Sequence, residues 1–199
     1  MAETREMILH TALELCSRRG CEAVSVRDIC SAVGIKESSL YYHFPGKQAV
    51  IDELYSRFEE HCAALTGELD AALEAGSPPG REGFMNVCAH FFDGYLSDPF
   101  CNGVLRLLDI ERRSSPEALR LYTRWMFDEP LSYQARVFAA LTGPGGADYL
   151  AVKFYAPIYL YANRYLLCGA LDGEAKAAFR EAASAHAARF FSEMEALYG

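Results

Sequence analysis

Between residues 25 and 47 the chain reads SVRDICSAVGIKESSLYYHFPGK, and a tyrosine pair (Tyr41, Tyr42), His43 and Lys47 stand where a DNA backbone could be gripped. Hydroxyl and ammonium groups are common partners of phosphate oxygens, and they set register without reading sequence. The spacing around them describes two short helices joined by a turn. In such a pair the second helix lies in the major groove and presents its outward residues to base edges. The chemistry expected here is recognition of duplex DNA.

The elements that would hold those groups are legible in the same stretch. Ser25 is a good helix N-cap, and Asp28 three residues on completes a capping-box pattern. Val26, Ile29, Cys30 and Val33 follow at helical spacing, so one face is apolar. Gly34 ends that helix, because glycine takes the left-handed conformation a helix stop needs. The second helix is predicted over about residues 36–43. Leu40 and Phe44 point inward, which leaves Lys36, Glu37, Ser38, Ser39, Tyr41 and Tyr42 outward, although Tyr41 could equally pack on its neighbours. Pro45-Gly46 breaks the chain before Lys47 opens the next helix. Upstream, residues 4–19 carry Ile8, Ala12 and Leu15 on one face, and Gly20 is the stop. Arg18 and Arg19 suit the negative end of that helix.

The order ALELCSRRG, VSVRDICSAVGI, SSLYYHFPGKQAVIDEL, roughly residues 4–58, resembles the N-terminal domain of the tetracycline-repressor-like (TetR) family of bacterial regulators. The resemblance implies phosphate contacts from Ser25, Tyr42 and Lys47. It implies base-edge contacts from Arg27 and from the exposed residues that follow, Lys36, Glu37, Ser38, Ser39 and Tyr41. Lys36 stands where many relatives have a small capping residue, and Ser38 where many have glycine. Both sit at the start of the reading helix, so no operator sequence carries over.

The charge is unusual for a DNA binder. The formal net charge is −8, and residues 1–50 hold six Arg/Lys against six Asp/Glu. No basic stripe marks an electrostatic footprint, so positive groups must be placed locally, through Arg27, Lys36, Lys47 and helix dipoles. The acidic excess beyond residue 50 repels phosphate away from the docked face.

Past Lys47 the helical period continues, and strand signals are weak. Ile51, Leu54, Phe58, Cys62, Leu65, Leu69 and Leu73 form one stripe, so a linking helix is expected over 47–75. GSPPGREG, 76–83, is the clearest break, and further helices are expected over 82–97, 101–113, 116–141, 147–171 and 174–198. The fold expected is all-α with about nine helices: a three-helix DNA-binding head, 1–46, and a ligand-sensing and dimerisation domain, 47–199. The last two helices, 147–171 and 174–198, are apolar enough on their outer faces to pair with a second copy.

An apolar pocket between helices is the usual seat of a small ligand. Its candidate lining is Phe58, Cys62, Phe91, Phe92, Tyr95, Leu105, Trp125, Tyr155, Ile158 and Tyr159, with Pro157 expected to kink its helix and open space. Arg164, the one cation of that run, is expected to form a salt bridge to Asp or Glu, although it could instead neutralise an acidic ligand. His61, Cys62, Cys88, His90 and Cys101 match no standard zinc spacing. No catalytic motif is present, so neither enzyme activity, cofactor nor metal is expected. The polar start MAETREMILH, seven cysteines without a CxxC pair, and an apolar run over 154–171 broken by Pro157, Asn163 and Arg164 fit a cytoplasmic protein outside the membrane. The partners expected are an operator duplex, a small largely apolar or aromatic effector, and a second copy of the chain. The rival reading is a helical small-molecule-binding protein or enzyme whose head no longer binds DNA.

Overall fold

Ten α-helical segments, three of them prolonged by π-helical turns, build the described chain, which comprises residues 2–74 and 80–198 of this computed structural model (side chains of 2 and 68–74 excepted). They are α1 (Ala2–Arg19), α2 (Val26–Val33), α3 (Glu37–His43), α4 (Lys47–Glu74), α5 (Arg81–Phe91), α6 (Pro99–Glu111), α7 (Pro116–Thr123), α8 (Glu129–Thr142), α9 (Ala147–Tyr161) and α10 (Gly173–Tyr198). The π turns are Phe92–Leu96 after α5, Arg124–Asp128 between α7 and α8, and Ala162–Leu167 after α9. Since α7, its π turn and α8 run on without a break, the described residues form nine unbroken rods and no strand. The helix expected over 147–171 stops at Leu167, and most of the expected break after residue 75 lies outside the described residues.

Contacts divide the chain into two compact units, Met1–His61 with Gly103–Tyr122, and Cys62–Asn102 with Thr123–Gly199. In the first, α1 packs on α2 and α3, and α2 on α3. Ile8, Leu9, Ala12, Leu13 and Cys16 of α1 are buried, while Leu15, expected in the core, is half-exposed. The buried stripe of α1 thus holds five residues where three were expected, sharing Ile8 and Ala12 and turned away from Leu15. Gly103 of α6 sits where a Cβ would lie 3.1 Å from Leu13, so its bare backbone admits that side chain. Ion pairs join α1 to α4. Arg57 reaches Glu6 with two nitrogens, at 2.7 and 2.8 Å, and Glu53 at 2.9 Å, and Arg5 also reaches Glu53 at 2.9 Å.

In the second unit α9 packs on α8 and α10, and α10 on α5. Phe84, Phe138, Phe154, Phe190 and Phe191 meet with ring centroids 5.2–6.1 Å apart. Tilted and edge-on pairs of this kind each add about 0.5–1.5 kcal/mol beyond area burial. His186 of α10 stacks on Phe154, and its Nε2 lies 3.0 Å from the Phe154 carbonyl.

Candidate nucleic-acid interface

The head is assembled from local capping. Ser25 caps α2: its Oγ accepts from the Asp28 amide at 3.1 Å, and the Ser25 amide donates to Asp28 Oδ2 at 2.8 Å. The Ser25 hydroxyl also donates to that carboxylate at 2.7 Å. The two Ser25 bonds, hydroxyl first, hold the Asp28 carboxyl below the usual carboxylate range. Gly34 closes α2 at φ 80°, and its amide returns to the Cys30 carbonyl. This stop turns the chain into α3, where Lys36 is the N-cap without any side-chain cap bond.

On α3, Leu40 and Phe44 are buried, as their spacing required. Glu37 and Ser38 are exposed, Ser39 is half-exposed, and the rings of Tyr41 and Tyr42 are 53% and 71% exposed. Tyr41 does not pack into the core. Arg27, in the first turn of α2, and Lys36 are exposed as well. Lys47 behaves differently. Its Nζ donates to the Cys21 carbonyl at 2.5 Å and the Val24 carbonyl at 2.7 Å, tying the start of α4 to the turn that precedes Ser25.

The second unit holds a small cavity of about 30 Å³, lined by Cys62, Leu65, Thr66, Phe91, Tyr95, Trp125, Glu129, Pro130, Tyr133 and Gln134. The Tyr95 hydroxyl donates to the Trp125 carbonyl at 2.5 Å, which fixes two of its walls against each other. Gln134 is 5% exposed, and no hydrogen bond from another described residue engages its amide. At the rim Glu129 accepts from Arg124 Nε at 3.0 Å.

Residues 8–54 match the family model described as bacterial regulatory proteins, tetR family. Over 54 residues the chain is 43% identical to the transcriptional repressor KstR2 of Rhodococcus jostii (strain RHA1), which covers 27% of this chain and 26% of that protein. It is 38% identical over 50 residues to the class C tetracycline repressor of Escherichia coli, 25% of this chain and 23% of that one. The chain therefore spans about a quarter of the length of these curated relatives. Beyond the head the likeness is of fold. A TetR-family transcriptional regulator from Agrobacterium tumefaciens superposes with a TM-score of 0.63 at 23% identity, over 94% of this chain and 97% of that one. A transcriptional regulator from Saccharomonospora viridis, solved in complex with choline, superposes with a TM-score of 0.60 at 20% identity, over 98% and 96%.

The head of the chain, residues 8–54, is similar to that of the TetR family. The two curated relatives named above are repressors. Among the described residues no helix is long and apolar enough to cross a membrane.

Of the sequence-derived pocket candidates, Cys62, Phe91, Tyr95 and Trp125 line the cavity. Phe58 and Leu105 are buried in the first unit. Phe92 packs on Phe179, the Tyr155 hydroxyl donates to the Met126 carbonyl at 2.8 Å, Ile158 is fully buried, and Tyr159 lies against Phe127. Pro157 sits inside α9, but Tyr155 and Ile158 near it are buried, and the cavity opens next to Pro130 instead. Arg164 rests on the Tyr165 ring and makes no ion pair among the described residues.

Sequence reasoning missed Leu65, Thr66, Glu129, Pro130, Tyr133 and Gln134. Leu65 and Thr66 follow Cys62 by three and four residues, an available helical signal. The others follow Trp125 by four, five, eight and nine, a spacing that the π turn at Arg124–Asp128 stretches beyond an α-helical period.

Proposed function

We propose that this protein is a ligand-responsive repressor of the TetR family that acts in the cytoplasm as a homodimer. Each α3 enters the major groove at one half of a palindromic operator, and a small effector in the cavity releases the DNA. The observation that carries this reading is the solvent-facing α3 with both tyrosines outward, on a head that matches the family model.

In this reading Ser25, Tyr42 and Lys47 meet phosphates. Arg27, Lys36, Glu37, Ser38, Ser39 and Tyr41 face base edges. Residues 1–46 act as the head and 47–199 as the sensing and dimerising part. An effector can shift DNA affinity only by favouring one conformation over another. The natural lever is α4, which supplies Lys47 at one end and Cys62 to the cavity.

Dimerisation through α9 and α10 is supported by the outer face of α9. Tyr149 is 71% exposed, Val152 52% and Leu160 62%, all on one helical stripe. Large apolar residues aligned in solvent mark an interaction surface more often than a bare monomer face. A neighbour of the same fold holds choline, which supports a small-molecule role for such a body.

Footprinting on the DNA that flanks the protein's own gene tests the reading. A protected palindrome is expected. Arg27→Ala should relax preference at one position of each half-site, with discrimination there falling by about 1–3 kcal/mol. An absence of specific protection, or a strict monomer on the target, would refute it.

A further inference from the structure

Two thiols meet in the DNA-binding head because of how α1 ends. Gly20 closes α1 at φ 78°, and its amide returns to the Cys16 carbonyl at 2.9 Å. A left-handed stop of this kind turns the residues after it back over the last helical turn. Cys21 is thereby brought against Cys16, and its thiol donates a hydrogen bond to the Cys16 sulfur. Cys16 is fully buried, whereas Cys21 is half-buried.

Other elements of the same unit pin the backbone of Cys21. Its amide donates to Glu111 Oε1 at 2.7 Å, and its carbonyl accepts from Lys47 Nζ at 2.5 Å. The bond from Cys21 lowers the Cys16 thiol below its usual value; burial opposes that shift, and the Lys47 ammonium adds to it. The first proton of the pair is thus easily lost, and the one that remains is shared between two sulfurs. With that proton on Cys16, the sulfur nearer solvent is a thiolate, the form that reacts.

We propose that Cys16 and Cys21 are a modification site, which a hydroperoxide converts to an internal disulfide that weakens DNA binding. The Cys21 thiolate attacks one oxygen of hydrogen peroxide; the O–O bond breaks, hydroxide leaves, and Cys21 becomes a sulfenic acid. The Cys16 sulfur then attacks the Cys21 sulfur, the S–O bond breaks, and the departing hydroxide takes the Cys16 proton. Two thiols lose two electrons, the peroxide gains them, and two waters form. A covalent S–S bond holds its sulfurs closer than a thiol hydrogen bond does. Cys16 is locked in the core, so Cys21 moves, and with it one of the two carbonyls that hold Lys47. The displaced turn leads directly into Ser25, the cap of α2. The effect on DNA rests on the reading of Ser25 and Lys47 as phosphate contacts; the disulfide does not.

The test treats the full-length protein with hydrogen peroxide, blocks remaining thiols with iodoacetamide and digests with trypsin. Arg18 and Arg19 lie between the two cysteines, so the disulfide is read by mass as a linked peptide pair, 6–18 with 20–27, that dithiothreitol separates. Cys62 and Cys101 are also hydrogen-bonded thiols, but they are 2% and 0% exposed, so the 16–21 link should form at least about tenfold faster than theirs. On a duplex protected in the footprint, the oxidised protein should bind at least about tenfold more weakly, the factor that one charge-assisted bond carries. Reduction should restore the affinity, and Cys21→Ser should bind equally with and without peroxide. Absence of the 16–21 link, or earlier linkage of Cys62 to Cys101, overturns the site. A complete link with unchanged DNA affinity, or a loss of affinity that persists in Cys21→Ser, overturns its control of binding. A reduced protein that protects no duplex refutes the repressor reading and that control together, while the linked peptides still decide the site.

Discussion

Lys47→Met separates two roles that a single side chain combines. Its ammonium group has three donors, and two of them meet the carbonyls of Cys21 and Val24 at 2.5 and 2.7 Å. Hydrogen bonds from a charged donor contribute about 1.5–3 kcal/mol each when buried. Lys47 is only half-buried, and water can replace it at the two carbonyls, so the pair is expected to contribute about 2 kcal/mol. Methionine keeps the aliphatic stem, which confines the change to those bonds. In a chain of this size, about 2 kcal/mol lowers the melting temperature by roughly 4–8 °C. Urea unfolding should show a lower midpoint at unchanged slope. The third donor is left for phosphate, so the variant dimer should lose about 1.8 from the slope of log affinity against log salt, 0.9 for each subunit. A variant within about 0.5 kcal/mol of the parent refutes the tether. An unchanged salt slope refutes the phosphate contact while leaving the tether intact.

Tyr42→Phe should leave stability within about 0.5 kcal/mol, because the ring is 71% exposed. It should weaken DNA binding by about 0.5–1.5 kcal/mol per subunit on every sequence tested, read by fluorescence anisotropy. Glu6 and Glu53 are held below the ordinary carboxylate range, first by hydrogen bonds from Arg57 and Arg5 respectively. Their contribution is therefore full above the unfolded carboxylate range and is lost as pH falls through the depressed values. Arg57→Met should flatten the acid limb of the melting curve below about pH 4, with a loss near neutrality of about 1 kcal/mol, because Glu6 is mostly exposed and screened. His186 is pushed below its usual value by burial, partly offset by the Phe154 carbonyl. Its contribution is thus present above about pH 6.5 and lost as pH falls through the lowered value, so melting temperature should drop as pH falls below about 6.5. His186→Gln should remove that drop while keeping a side-chain donor for the carbonyl.

Local chemistry made the head legible. Ser25, Asp28 and Gly34 act within a few residues of themselves, so spacing alone located α2, its cap and its stop. Leu40 and Phe44 likewise followed from period. Non-local consequences were hidden. Nothing near residue 47 reveals that its ammonium group reaches carbonyls more than twenty positions earlier. The buried face of α1 was misjudged at Leu15 because a helix period marks an apolar stripe, while the partners that cover its flanks come from elsewhere in the chain. The pocket was half legible for a different reason. Aromatic residues stand out as a group in the sequence, but their division between core and cavity depends on helix phase. The π turn ahead of α8 rotates the following residues, so Pro130 and Gln134 fall in line with Trp125 where an unbroken α-helix would have placed other positions.

The neutral head bears on how discrimination would arise. Of the six cations in residues 1–50, Arg5 pairs with Glu53, Arg18 with Glu14, Arg19 donates to the Ala23 carbonyl, and Lys47 holds two carbonyls. Arg27 and Lys36 carry no hydrogen bond or ion pair among the described residues, and both are exposed. They sit in the first turn of α2 and at the N-cap of α3, beside the residues that face outward from α3. Sequence-independent affinity grows with the number of phosphates neutralised. A head with two uncommitted cations, followed by a strongly acidic remainder, would hold random DNA weakly. Its preference for an operator would then come mainly from base-edge contacts and from the second subunit, since each adds affinity only where the sequence and half-site spacing are right.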